Sequence, residues 1–254
     1  MNELTRKQRE VKDRDELILK VGRKLFLDKG YHSVTMDMIA KEVEYSKGTI
    51  YQHYNCKECI ISALCIRFSS VLLSLFTKVK DLTAPSWLKM LMLLEADTAI
   101  QKQGKADFEL SSLIQVDAFS SKLDAELIHE MNCKVERAMA VVVAIVDEAI
   151  ASGELLLTAP ATGHSIAIGC WSMIEGTHEI INKHSSELGS VSARQLTDML
   201  HSNSLIFLRG CGWNSFPLDD YGILKLSNEQ QKQLNDFRQY CEQEINEFLS
   251  AQKI

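Results

Sequence analysis

The chain has 254 residues, 46% apolar and 24% charged, with three prolines, twelve glycines and a formal net charge of −6. Those proportions are globular and exclude a disordered chain, and the shortage of backbone breakers favours long helices over a many-stranded β protein. The opening MNELTRKQREVKDRDE lacks the apolar core of a secretory signal, and the longest unbroken apolar run, Ala138 to Val146, falls short of the roughly 18–20 residues of a membrane span. A cytoplasmic protein with no membrane partner is expected. Its seven cysteines, an odd number, are expected as free thiols.

The negative charge is unevenly spread. Residues 1–60 hold twelve Lys/Arg against ten Asp/Glu, and the remainder sixteen against twenty-four. An acidic body with a mildly basic N-terminal end is compatible with DNA binding through that end.

Helical periodicity runs through almost every segment. Leu17, Ile18, Val21 and Leu25 share one helix face, and Gly30 supplies the stop. Thr35 is a candidate N-cap for a short helix burying Met38, Ile39 and Val43, and Ser46 a cap for another reaching Tyr54. A long apolar-rich helix follows from about Cys56 to Val79. Beyond Pro85 the pattern predicts helices at Ser86–Gln103, Asp107–Val116, Ser121–Ala151, Pro160–His184 and Ser192–Arg209. After a break at Gly210–Gly222, a polar helix over Ser227–Leu249 carries the stripe Leu234, Phe237, Cys241, Ile245 and Phe248, which should dock on the body. The expected fold is all-α.

The two short helices, joined by Val43-Glu44-Tyr45, form a helix-turn-helix candidate whose second helix would enter the major groove. Lys47 and Gly48 let charge and backbone approach phosphate at a helix N-terminus. Thr49 and Gln52 reach base edges, Tyr51 and His53 the sugar-phosphate backbone, while Ile50 and Tyr54 hold the helix on its core. An ordinary solvated helical hairpin would show the same chemistry.

The order of residues adds a family. ILKVGRKLFLDKGYHSVTMDMIAKEVEYSKGTIYQHYNCKECI resembles the N-terminal domain of TetR-family bacterial transcriptional regulators: the LF…KGY end of helix 1, TM..IA opening helix 2, and SKGTIYQHY with KE downstream. The resemblance implies an N-terminal three-helix DNA-binding domain over residues 1–60, and a ligand-binding and dimerisation domain over 61–254 with an extra C-terminal helix. It implies that Thr35 contacts phosphate, that Ser46, Lys47, Gly48, Thr49 and Gln52 face the groove, and that Tyr51, His53 and Lys57 clamp the backbone, with Tyr45 of the turn in the same DNA-binding set. Two positions depart from the pattern. Glu44 stands where the family has glycine, at a cost of ~1–2 kcal/mol if that residue is left-handed, and Cys56 stands where a serine usually caps helix 4.

Family members are homodimers whose large domain binds a small molecule and changes the spacing of two DNA-reading heads. The resemblance therefore implies double-stranded operator DNA with a palindromic site, a small-molecule effector, and most often repression. The dimer contact would use the helices at Pro160–His184 and Ser192–Arg209. On the first, Gly169, Met173, Gly176 and Ile180 form a stripe suited to close helix approach. A second stripe holds His164, Ile168, Trp171, Glu175 and His178. Of these, Trp171, Glu175 and His178 either touch an effector or form a polar network at the dimer interface. Trp87, Met90, Phe108, Phe119, Met131 and Met139 either line an apolar pocket or pack as core.

An enzyme is the weaker reading, with no catalytic residue assigned and no metal or cofactor expected. His178-Glu179 has its second histidine, His184, six residues on rather than four, His129 and Cys133 are only two ligands, and Gly163-His164-Ser165 is no nucleophile elbow. Cys56 and Cys59, at the start of helix 4, are placed for a lowered thiol pKa by the dipole and Lys57. They are open to three readings: a metal set with His53 and Cys65, a thiol-based redox sensor, or packing.

Overall fold

The structure, a computed structural model, describes residues 5–113, 119, 121–157, 160–183, 192–220 and 222–253. Thr5 opens the first helix, α1 (Arg6–Lys29): its hydroxyl accepts the Gln8 N–H, and the Gln8 side chain accepts the Thr5 N–H in return. Gly30 closes it at φ 77°. Thr35 caps α2 (Met36–Glu42) by accepting the Met38 N–H, and Ser46 caps α3 (Lys47–His53) by accepting the Thr49 N–H. Both expected caps are in place.

The remaining helices are α4 (Lys57–Lys80), α5 (Ser86–Gln103), α6 (Lys105–Ser112), α7 (Ala125–Ser152), α8 (Gly163–Lys183), α9 (Ala193–Gly210) and α10 (Asn228–Ala251). Among the described residues there are ten α-helices and no strand beyond two isolated bridges, Leu155 with Trp213 and Leu218 with Leu224. The fold is all-α. The helix expected from Ser121 begins at Ala125 because Asp124 accepts the Leu127 N–H and caps it there. The helix expected from Pro160 begins at Gly163, where Thr162 and Ser165 exchange cap hydrogen bonds. His184 and residues 114–116 of the expected short helix lie outside the described residues. By length and composition α4 is apolar enough to cross a membrane, which the search for unbroken apolar runs missed, but 56% of its most apolar window is buried inside the protein.

Two compact units divide the chain. The first comprises residues 1–71, 101–135 and 244–254, and the second residues 72–100 and 136–243. The core of the first joins Ile18, Leu19 and Phe26 of α1, Ile39 and Val43 of α2, Ile50 of α3 and Ile60, Ile61 and Leu64 of α4. Gly22 is required where α1 meets α4, because a Cβ there would fall 2.9 Å from Ile60 Cγ2. Arg23 clamps α6 with two hydrogen bonds to Asp107, at 2.7 and 2.6 Å. Phe248 of α10 lies with its ring 6.1 Å from that of Phe68.

In the second unit α9 packs along α8. Trp87 packs against Phe216 with the rings tilted and 5.6 Å apart, and the buried Lys89 reaches Glu148 (2.9 Å) and the Lys80 carbonyl (3.1 Å). Glu95 of α5 faces His201 Nε2 of α9 at 3.3 Å and accepts a hydrogen bond from Arg238 of α10. Burial alone would raise the Glu95 carboxyl, but these two partners bring it down to about 2. The C-terminal stripe docks as expected: Leu234, Phe237, Cys241 and Ile245 are all buried.

The turn between α2 and α3 adopts the strained form anticipated for it. Glu44 has φ 57°, the only left-handed non-glycine among the described residues. The Glu44 N–H bonds the Lys41 carbonyl and the Tyr45 N–H the Ala40 carbonyl, a paired closure that requires the left-handed residue between them. Replacing Glu44 with glycine should relieve that strain and raise stability by about 1 kcal/mol. An unchanged or lower urea midpoint would show that the turn carries no strain.

Candidate nucleic-acid interface

The N-terminal half of α3 faces solvent. Ser46, Lys47, Gly48, Tyr51 and Gln52 are exposed, while Ile50 is fully buried and Tyr54 nearly so. Thr35, also exposed, stands at the start of α2. Local sequence explains this division: Ile50 and Tyr54 are one turn apart and fix which side of the short helix turns inward. Lys47 pairs with Asp37 of α2, both side chains more than half exposed. An exposed pair of this kind is weak and exchanges readily for another anion.

Three of the expected contact residues in the turn and α3 are only partly exposed. Tyr45 is half-buried against the core, and the Thr49 hydroxyl sits 2.9 Å from Ser46 Oγ within the cap. His53 has a side chain only 11% exposed and faces Asp15 of α1 at 3.7 Å, so it does not point outward as a backbone clamp. Asp15 already gathers the Tyr54 hydroxyl (2.6 Å) and Arg67 (3.1 Å), and an acidic group drawing three polar side chains to α1 explains the inward turn. Burial, then the hydrogen bond to Asp15, holds the Tyr54 phenol well above its ordinary value.

Lys57 also departs from the expected role. Its ammonium donates to the carbonyls of Tyr31 (2.7 Å) and Val34 (2.9 Å) and lies 4.3 Å from the centre of the Tyr31 ring. It therefore fixes the loop leading into Thr35. On the other side of the same helical turn, buried Glu58 accepts the Tyr31 hydroxyl (2.6 Å) and the Lys122 ammonium (2.7 Å). Burial opposes ionisation of Glu58, but the bonds from Lys122 and Tyr31 outweigh it and bring the carboxyl to about 2. Tyr31 and Asp15 were missed in the sequence because a tyrosine in a loop and an aspartate on a charged helix carry no periodic signal.

Cys59 is buried and Cys56 half-buried, with the two sulfurs 3.2 Å apart and unbonded. Cys56 Sγ also points at the Lys122 carbonyl, 3.7 Å away. The expected lowering of the thiol pKa is reversed. Burial, then the contact with Cys59, pushes Cys56 up to about 12. Among the described residues no group of three or more His, Cys, Asp or Glu could hold a metal ion.

The residues considered for an effector do not converge. Trp87 and Met90 are core of the second unit, whereas Phe119 is core of the first, its ring 5.9 Å from that of Tyr31, and Met131 belongs to the first unit also. On α8 the polar stripe splits. Trp171 donates to Glu175 (3.1 Å) on the exposed side, while His178 is buried, 3.3 Å from Asp97 of α5. Burial pushes Asp97 up to about 8, helped by the Glu175 charge, and pushes His178 down to about 4. Gly169 does not face outward for a twofold partner. A Cβ there would sit 2.3 Å from Phe207 Cζ of α9, so its lack of a side chain is used within the chain. Gly176 has open space around it, Met173 is half-buried, and Ile180 is exposed.

The family profile described as bacterial regulatory proteins of the tetR family matches residues 18–64, the segment that builds α1 to the first turns of α4. Over those residues the chain is similar to the tetR family. The transcriptional regulator UidR of Escherichia coli K12 is 38% identical over 50 residues, 20% of this chain and 26% of UidR, so the match spans about a quarter of that relative's length. In three dimensions the likeness is wider. A TetR/AcrR-family regulator from Thermobifida fusca aligns over 78% of this chain and 98% of its own with a TM-score of 0.62 at 21% identity. A SmeT–triclosan complex aligns over 84% and 99% with a TM-score of 0.58 at 16% identity. These likenesses establish a shared fold for the larger part of the chain.

Within the TetR-type domain, Lys57 is a structural residue in this geometry. Lys57→Ala should lower the stability of the domain by about 1–3 kcal/mol, the range for hydrogen bonds to a charged group. Urea unfolding followed by tyrosine fluorescence measures it, and an unchanged midpoint would return Lys57 to a purely solvent-facing role.

Proposed function

We propose that the protein is a sequence-specific DNA-binding transcriptional regulator, acting in the cytoplasm as a repressor, whose α3 enters the major groove of a palindromic operator. The observation that carries this reading is the solvent-facing row Ser46, Lys47, Gly48, Tyr51 and Gln52 at the N-terminal half of the second helix of a helix-turn-helix. Side chains there reach base edges, and the helix N-terminus favours phosphate. Thr35 adds a phosphate contact at the start of α2. In this reading Thr49 and Tyr45 act at the edge of the contact, while His53 and Lys57 hold the reading helix in place from behind.

Selection of bound fragments from genomic DNA at modest salt tests it, and recovery of no enriched site would overturn it. Gln52→Ala should relax preference at one base position, by about 1–3 kcal/mol. Lys47→Ala should weaken all sequences alike and reduce the salt slope by about 0.9, as the loss of one phosphate contact does.

The acting form is a homodimer. α8 and α9 leave apolar side chains exposed: Ile168, Trp171 and Ile180 on the first, Met199 and Ile206, at 68% exposure, on the second. This face replaces the one expected through Gly169, and it retains Gly176 and Ile180. Two symmetric heads then read half-sites about one helical turn apart. A small-molecule effector, bound in the second unit, changes their spacing through α4, which begins in the first unit and continues into the second. The SmeT–triclosan complex supports an effector of that general kind. Ile206→Glu should yield a monomer by sedimentation, with at least a tenfold loss of operator affinity. A dimeric variant would exclude this face.

A further inference from the structure

Cys56 and Cys59 stand outside the exposed row assigned above to DNA. Their sulfurs lie 3.2 Å apart, about 1 Å longer than a disulfide bond and closer than two unbonded side chains usually approach. The spacing is Cys-x-x-Cys at the start of α4. Cys56 is half-buried and reachable, whereas Cys59 is 2% exposed and reachable only through its neighbour. Around them stand Glu58, Lys122 with its carbonyl, Tyr31 and Lys57, all engaged with one another.

We propose that Cys56 and Cys59 are a redox-active dithiol that closes to an intramolecular disulfide by exchange with a small-molecule disulfide. Cys56, as its thiolate, attacks one sulfur of the oxidant, forming a mixed disulfide and releasing the first small thiol. Cys59, losing its proton, then attacks the Cys56 sulfur and releases the second. The two protein thiols are oxidised by the loss of two hydrogens, and the oxidant is reduced to two thiols. The order follows from exposure, since only Cys56 can be met from outside. Burial of the thiol at about 12 makes the first step slow and leaves the reduced pair stable at rest. This chemistry stands apart from the DNA-binding reading, and its test needs no DNA.

The full-length protein is equilibrated with mixtures of oxidised and reduced glutathione, quenched with acid, alkylated and digested. As the oxidised fraction rises, the peptide holding residues 56–59 should lose both alkylation sites together and weigh two hydrogens less, and dithiothreitol should restore it. Cys133→Ser, which removes a half-buried thiol beside His129, should titrate as the wild type does. Cys56→Ser, if its far-ultraviolet circular dichroism matches the wild type, should leave Cys59 unmodified. Phenylarsine oxide, which condenses with two adjacent thiols and releases water, should block both sites without any oxidant. Stable glutathione on Cys56 without ring closure, a pair that stays reduced while Cys133 is modified, or no protection by the arsenical would each overturn the proposal. Failure here leaves the DNA-binding reading standing, and failure to find an operator leaves the thiol result standing.

Discussion

Tyr31 is held at three points by two consecutive residues, and the geometry of the DNA-binding domain rests on that grip. Lys57 takes its carbonyl and covers its ring, and Glu58 takes its hydroxyl. The two side chains leave the first turn of α4 with opposite charge, so the loop between α1 and α2 is fixed by attraction on both sides. Thr35 begins α2 four residues beyond Tyr31, and the position of α3 follows from α2 through the closed turn at Glu44. A helix of seven residues is too short to be stable alone. The clamp at Tyr31 and the shared apolar core are what give α3 a fixed direction.

The same turn of α4 reaches the segment after α6. Lys122 neutralises Glu58, its carbonyl faces Cys56, and Phe119 stacks near Tyr31. Residues far apart in sequence thus complete the first unit, so its packing does not follow the order of the chain. Charge pairs that are buried or half-buried recur at such junctions, Arg23 with Asp107 and Lys89 with Glu148 among them. Each would leave an uncompensated charge if its partner were removed, which is costly.

Features fixed by local chemistry were legible in the sequence. Thr35 and Ser46 cap because a hydroxyl preceding an apolar repeat has few other local uses, and the C-terminal stripe from Leu234 to Ile245 docks because its period matches a helix face. The strain at Glu44 was legible from a departure at a glycine position. Directions set by tertiary partners were not. Lys57 and His53 read as solvent-facing because the carbonyls and Asp15 that draw them inward lie 20 or more residues away. Gly169 showed that two helices approach closely but not which helix approaches, and Phe207 gives the answer only once α9 is folded back. Phe119 looked like part of the large domain because of its place in the chain.

Glu95 depends on the last helix. Its carboxylate, mostly enclosed, takes His201 from α9 and Arg238 from α10, so one acidic group ties together three helices far apart in sequence. A cut between α9 and α10 would therefore leave a mostly enclosed carboxylate with one partner of two, a costly state.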